Sequence, residues 1–159
     1  MFNKILIIGC GLIGSSIARS IYSTRIVKNI YILEKSKKNI KILKNLKMNL
    51  KFIESISKIN INFDLIVFCT PISQYKGILT KINRLIGRNT IITDVGSTKE
   101  LANQNVKKLL KNKSQWVASH PIAGSEVSGP KHGDKNLFKN KWCVLIKDKE
   151  TNQKNLNKI

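Results

Sequence analysis

The sequence predicts a single α/β domain built on a doubly wound, mostly parallel sheet. Three observations carry this. An apolar run at 5–8 leads into three glycines spaced G-x-G-x-x-G. Short runs rich in Ile, Val and Leu recur at 29–34, 64–70, 90–94, 116–119 and 142–146. Stretches with helical apolar spacing lie between most of them. Strand alternating with helix implies a parallel sheet covered on both faces. With 159 residues, 42% of them hydrophobic, the chain can bury one real core.

The first strand ends at Gly9-Cys10-Gly11-Leu12-Ile13-Gly14. A helical pattern starts at once, with Ile13, Ile17 and Ile21 on one face and Ser15, Ser16 and Arg19 off it. This is the Rossmann-type strand–turn–helix that cradles a dinucleotide pyrophosphate. Gly9 permits the tight turn, Gly11 lets a phosphate approach the backbone, and Gly14 lets the helix lie close on the strand. The helix N-terminus offers free N–H groups and positive potential to the anion. Gly9, Gly11, Leu12, Ile13 and Gly14 are the candidate cofactor contacts of this turn.

The second strand, 29–34, ends in Glu34, twenty positions after Gly14. A carboxylate there accepts hydrogen bonds from ribose hydroxyls and repels a 2′-phosphate, which favours NAD over NADP. Lys35, Lys37 and Lys38 pull the other way, since they can pair with a phosphate. Ile40, Leu43 and Leu46 mark a short amphipathic helix over 39–46. Residues 50–61 are ambiguous, with a brief strand at Phe52-Ile53. The run at 64–70 is a buried strand closed by Thr70-Pro71. Strand ends line the ligand crevice of such a sheet, so Thr70 and Pro71 are candidate cofactor contacts; a plain strand stop would look the same.

A helix is expected over 73–86, with Gly87 as its stop. The strand at 90–94 runs into Val95-Gly96-Ser97-Thr98-Lys99, and a helix follows over 100–110. Ser97 or Thr98 can cap it. A sixth strand at 116–119 opens the loop 120–129, which begins His120-Pro121. A last strand is expected at 142–146, then a polar segment over 148–159. Residues 1–147 are thus read as the dinucleotide-binding domain, and 148–159 as a tail or the start of a helical domain.

Composition narrows the function classes. The formal net charge is +20. A nucleic-acid role is not expected, because the lysines are spread along the whole chain and only Arg19, Arg25, Arg84 and Arg88 are arginines. Cys10, Cys69 and Cys143 form no CxxC and sit among apolar or small neighbours, as buried thiols of a reducing compartment would. No metal site is expected. No apolar run approaches the ~20 residues of a membrane span. The chain enters a strand directly after Met1-Phe2-Asn3, with no signal segment, so a cytoplasmic location is expected.

Chemistry can sit where strands end beside the dinucleotide. Ser97 and His120 both follow predicted strand ends on that side. A neutral imidazole there can accept a hydrogen bond at the nicotinamide end. Ser97 can hold the same substrate oxygen. A loop histidine that only stabilises a turn would look the same. His132, in Lys131-His132-Gly133, reads as a surface residue.

Three motifs together carry a family resemblance: 9–15, Asp94-Val-Gly-Ser-Thr-Lys99, and His120-Pro-Ile-Ala-Gly-Ser-Glu-Val-Ser-Gly129 followed by Leu137-Phe138. In order and spacing the chain resembles the prephenate/arogenate dehydrogenases. The resemblance implies NAD-dependent oxidative decarboxylation of prephenate to 4-hydroxyphenylpyruvate in tyrosine biosynthesis, or the arogenate counterpart. It implies that His120 accepts the ring-hydroxyl proton, that Ser97 shares that hydroxyl, and that Glu126, with Ser125 beside it, lies at the substrate entrance. Lys99 either adds positive potential for a dicarboxylate or is a solvated helix lysine. Family members continue into an all-helical C-terminal domain that completes the substrate site and forms the dimer. Here the usual Thr-Pro after the last strand is replaced by Lys147-Asp148, and the sequence stops at Ile159. Three organisations follow: a truncated enzyme, half of a split enzyme working with a helical partner chain or as a homodimer, or an NAD-binding module without dehydrogenase activity.

Overall fold

The structure, a computed structural model, describes residues 2–159. Seven strands form one sheet: β1 (Lys4–Ile8), β2 (Asn29–Leu33), β3 (Leu50–Ile53), β4 (Leu65–Phe68), β5 (Ile91–Asp94), β6 (Trp116–Pro121) and β7 (Cys143–Ile146). Their order is β3-β2-β1-β4-β5-β6-β7. All neighbours pair in parallel except β6 and β7, which are antiparallel. The helices are α1 (Leu12–Thr24), α2 (Lys37–Lys44), α3 (Tyr75–Ile82), α4 (Lys99–Leu109) and α5 (Gln153–Leu156). This is the doubly wound α/β fold expected.

The strands read as unbroken apolar runs because both faces are buried. Successive side chains point to opposite faces, so Leu6 and Ile8 join one core while Ile5 and Ile7 join the other. The first core packs Tyr75, Ile78, Leu79 and Ile82 of α3 with Ala102 and Val106 of α4. The second packs Ala18 of α1 and Leu43 of α2. The chain winds outward from β1 through β2 to β3, then returns to place β4 on the other side of β1. The crevice at the carboxyl ends of β1 and β4 is the switch point, where such sheets bind ligands.

Several elements differ from expectation. Residues 50–61 resolve into β3 and a 3-10 turn, Ile56–Lys58. The expected helix over 73–86 is α3 flanked by 3-10 turns at Ile72–Gln74 and Asn83–Leu85. The most buried part of α1 is Gly14, Ser15, Ser16 and Ala18 rather than the isoleucine stripe; Ile17 and Ile21 are only partly buried. The polar side is covered because residues 129–134 fold across it. Arg19 donates through Nη2 to the Pro130 carbonyl at 2.9 Å, and the Asp134 N–H donates to Ser16 Oγ at 3.0 Å. Gly133 makes the approach feasible, since a Cβ there would overlap Ser15 Oγ.

A fourth difference concerns His120. It lies inside β6, opposite Val144 of β7, and not in a loop beyond the strand. The parallel pairing of β6 with β5 stops at Thr93 and Val117, and the antiparallel β7 carries β6 onward to Pro121. Cys143, expected among the buried thiols, is exposed because β7 is an edge strand. Trp142, expected within that strand, precedes it and is 83% exposed.

Candidate functional site

The glycine turn closes the carboxyl end of β1. Gly9 has φ +83°, a left-handed conformation that favours glycine, and its N–H donates to the Leu33 carbonyl at 2.9 Å. A Cβ on Gly14 would overlap the Gly9 carbonyl oxygen, so the absent side chain brings α1 against the turn itself rather than against the strand. Gly11 stands apart: a Cβ there meets nothing within 4 Å. That open space faces the first turn of α1, where Leu12 and Ile13 begin the helix and the earliest N–H groups have no intrahelical acceptor.

Glu34 ties this turn to the end of β2. Its Oε2 accepts from the Cys10 N–H and its Oε1 from the Ser36 N–H, both at 2.8 Å. A carboxylate oxygen has more than one acceptor position, so both oxygens retain capacity for a hydroxyl donor. Ser36 in turn caps α2, accepting from the Asn39 N–H at 3.2 Å. Burial, with the Glu34 carboxylate adding to it, pushes the Cys10 thiol up to about 12. Cys10 is therefore a packed thiol and contributes its backbone N–H, not a thiolate.

Gly9, Gly11, Glu34, Thr70 and Pro71 line one cavity of about 510 Å³, with Cys10, Ser36, Gln74 and Lys81. That volume is ordinary for a ligand site. Thr70 Oγ1 is buried there without a hydrogen-bond partner among the described residues. An open glycine cradle, an acid with free acceptor positions and an orphaned hydroxyl fit a dinucleotide. Leu12, Ile13 and Gly14 lie outside the lining: the first two open α1, and Gly14 packs behind the turn.

Ser97, His120, Ser125 and Glu126 lie outside that cavity. Ser97 is exposed in the connection after β5, His120 is half-buried near the end of β6, and Ser125 and Glu126 are exposed in the loop after it. Thr98 occupies the cap position of α4 but makes no side-chain capping bond. His132 is exposed, as expected.

Between β5 and β6 lies a network that sequence reasoning missed. Asp94 is fully buried. Lys99 Nζ donates to both of its carboxylate oxygens at 2.7 Å and also to the Ser119 carbonyl. The Tyr75 hydroxyl donates to Asp94 Oδ2 at 3.0 Å, the Gly96 N–H to the same oxygen at 3.1 Å, and the Ser119 N–H to Oδ1 at 3.2 Å. Lys99 is thus an ion-paired side chain with 9% exposure, and the solvated reading of it fails. Burial lowers its pKa, opposed by the Asp94 carboxylate. The signal was present: an acid ending a buried strand demands a partner, and the next cation stands five residues on, across the turn.

The sequence profile of the prephenate dehydrogenase nucleotide-binding domain matches residues 17–159. The chain belongs to this family. It is 34% identical over 153 residues to the prephenate dehydrogenase of Lactococcus lactis subsp. cremoris, covering 93% of this chain and 42% of that protein. It is 30% identical to the cyclohexadienyl dehydrogenase of Zymomonas mobilis, covering 95% and 51% respectively. The crystal structure of prephenate dehydrogenase from Aquifex aeolicus, in complex with hydroxyphenyl propionate and NAD+, superposes with a TM-score of 0.88 at 26% identity. That match covers 99% of this chain and 55% of the other. The chain therefore spans about half the length of the relatives it matches. Among the described residues, no helix is long and apolar enough to cross a membrane and no cluster of His, Cys, Asp and Glu could hold a metal.

Proposed function

We propose that this chain provides the NAD-binding half-site and the proton-accepting group for oxidative decarboxylation of prephenate to 4-hydroxyphenylpyruvate. The observation that carries it is a cavity lined by Gly9, Gly11, Glu34 and Thr70 at the β1/β4 switch point in a member of this family; Ser97, just after β5, and His120, within β6, support the reading of the reacting side. NAD, when bound, supplies the hydride acceptor. Gly9, Gly11 and the first turn of α1, at Leu12 and Ile13, would receive the pyrophosphate, and Gly14 holds that turn close behind them. Glu34 accepts from the ribose, and Thr70 and Pro71 border the cofactor. His120 accepts the proton of the ring hydroxyl as that carbon is oxidised, and Ser97 holds the same oxygen. The ring becomes aromatic as carbon dioxide leaves. Ser125 and Glu126 stand at the substrate entrance.

Arogenate is the second substrate reading, since one similar protein is named for the cyclohexadienyl ring that prephenate and arogenate share. The chain spans about half the length of the relatives it matches, so the test also supplies the remaining half from a relative. The test is NADH absorbance with prephenate or arogenate, using the chain alone and the chain mixed with the helical half of a relative. His120→Asn is expected to slow NADH formation by about 10²–10⁴-fold, the usual contribution of a positioned general base, with NAD affinity within about twofold. Near-normal turnover in that variant removes His120 from the mechanism. NAD binding with no NADH formed in any mixture supports the cofactor-binding module instead.

A further inference from the structure

We propose that Lys99 is a positioning residue whose ammonium, bridging Asp94 and the Ser119 carbonyl, fixes the placement of Ser97 relative to His120. The proposal rests on the reading of Ser97 and His120 as the substrate-facing pair. The β-ladder between β5 and β6 ends at Thr93 and Val117. Beyond that point the two strand ends need another tie, and each carries one of the two residues. The tie is the Asp94–Lys99 pair. On the β5 side, Asp94 holds the turn through the Gly96 N–H, one residue before Ser97. On the β6 side, Lys99 takes the Ser119 carbonyl while Asp94 takes the Ser119 N–H, one residue before His120. The Ser119 hydroxyl also donates to the Asp94 backbone carbonyl.

The valences close. An ammonium has three N–H groups, and Lys99 Nζ has three acceptors: Asp94 Oδ1, Asp94 Oδ2 and Ser119 O. Stability alone does not account for such an arrangement. A buried ion pair repays its desolvation only with excellent geometry, and well-packed apolar residues often serve as well. What apolar residues cannot do is fix two backbone segments at defined hydrogen-bond directions. Catalytic groups need that precision, since a misplacement of ~1 Å can cost about 10²-fold in rate.

The test uses the full chain with isotope-labelled histidine. The sequence has two histidines, so His132, exposed in the segment folded over α1 and outside the Asp94 network, is an internal control. In Lys99→Met the His120 ring signals are expected to shift or broaden while those of His132 stay in place. Lys99→Arg, which keeps the charge and several donors, should move them back toward wild type. NAD affinity should stay within about twofold in both. Where wild type forms NADH with prephenate, Lys99→Met should lower kcat by about 10–100-fold with KM changed less than threefold. His120 signals that superimpose on wild type in Lys99→Met overturn the proposal. If that variant fails to fold because Asp94 is left unpaired, Asp94→Asn with Lys99→Met removes the lone charge; unchanged His120 signals there overturn it equally. A wild type that forms no NADH even with a helical partner, while the His120 signals respond to Lys99, sinks the proposed activity and leaves the positioning role standing.

Discussion

The three glycines of the opening turn do different things, and substitution separates them. A Cβ on Gly14 would overlap the Gly9 carbonyl oxygen, so alanine there must push α1 off the turn. Overpacking of that kind costs about 1–3 kcal/mol, and it displaces the N–H groups that the proposed function assigns to the anion. Gly14→Ala is therefore expected to lower both stability and NAD affinity. A Cβ on Gly11 meets nothing within 4 Å, so Gly11→Ala should cost less than about 1 kcal/mol. On the proposed function the same Cβ fills the space that takes the pyrophosphate, so NAD affinity should drop at least about tenfold, since 1.4 kcal/mol of lost contact already gives that factor. Urea unfolding and NADH fluorescence measure the two quantities on one sample. Wild-type affinity in Gly11→Ala would remove the pyrophosphate from this turn.

At the scale of elements, the sequence was legible where burial is two-sided. Strands such as Leu65–Phe68 are buried at every position and stand out as apolar runs, and α3 shows a clear buried stripe. Legibility fell where a contact depends on tertiary placement. The pairing of β7 with β6 left no mark on His120 itself, and the loop over Ser15 and Ser16 depends on Gly133, far away in sequence. The cavity residues Gly9, Gly11, Glu34, Thr70 and Pro71 could be read because strand–turn–helix spacing fixes them locally. The Asp94 network was legible only in part: Lys99, five residues on, was its local signal, but the Tyr75 and Ser119 donors come from α3 and β6. Tyr75→Phe tests how much that network holds β5 to α3. A hydrogen bond to a charged group is worth about 1.5–3 kcal/mol. Asp94 keeps its other donors in the variant, so a loss near the lower figure is expected from urea unfolding. A change within about 0.3 kcal/mol would show that the Tyr75 hydroxyl adds nothing.

Across the whole molecule, burial of proton-bearing groups sets the alkaline limit of stability. Burial raises the pKa of Cys10 to about 12, and raises those of Cys69 and Tyr75, with Asp94 adding to both. In the unfolded chain the thiols ionise near 9.0. From there upward the folded state holds more protons than the unfolded one, so stability falls as pH rises. The contribution is fully present below pH 9.0 and is lost toward the folded value of about 12. Lys99 runs the other way: its pKa is lowered, so the unfolded state binds the extra proton and stability gains with pH below 10.5. Burial raises the Cys143 thiol as well, so Lys99 opposes Cys10, Cys69, Tyr75 and Cys143, and the net direction is downward. Each fully differential site changes stability by about 1.4 kcal/mol per pH unit, so Cys10 alone accounts for about 2 kcal/mol between pH 8 and 10.5. With a formal charge of +20, the chain also sheds lysine self-repulsion over this range, which would mask the slope in wild type alone. That relaxation is common to wild type and Cys10→Ala, and the comparison cancels it. Urea unfolding at pH 8, 9.5 and 10.5 should therefore show wild type losing about 2 kcal/mol more than Cys10→Ala by the highest pH. Parallel pH profiles for the two proteins would mean that the Cys10 thiol ionises in the folded state as readily as in water.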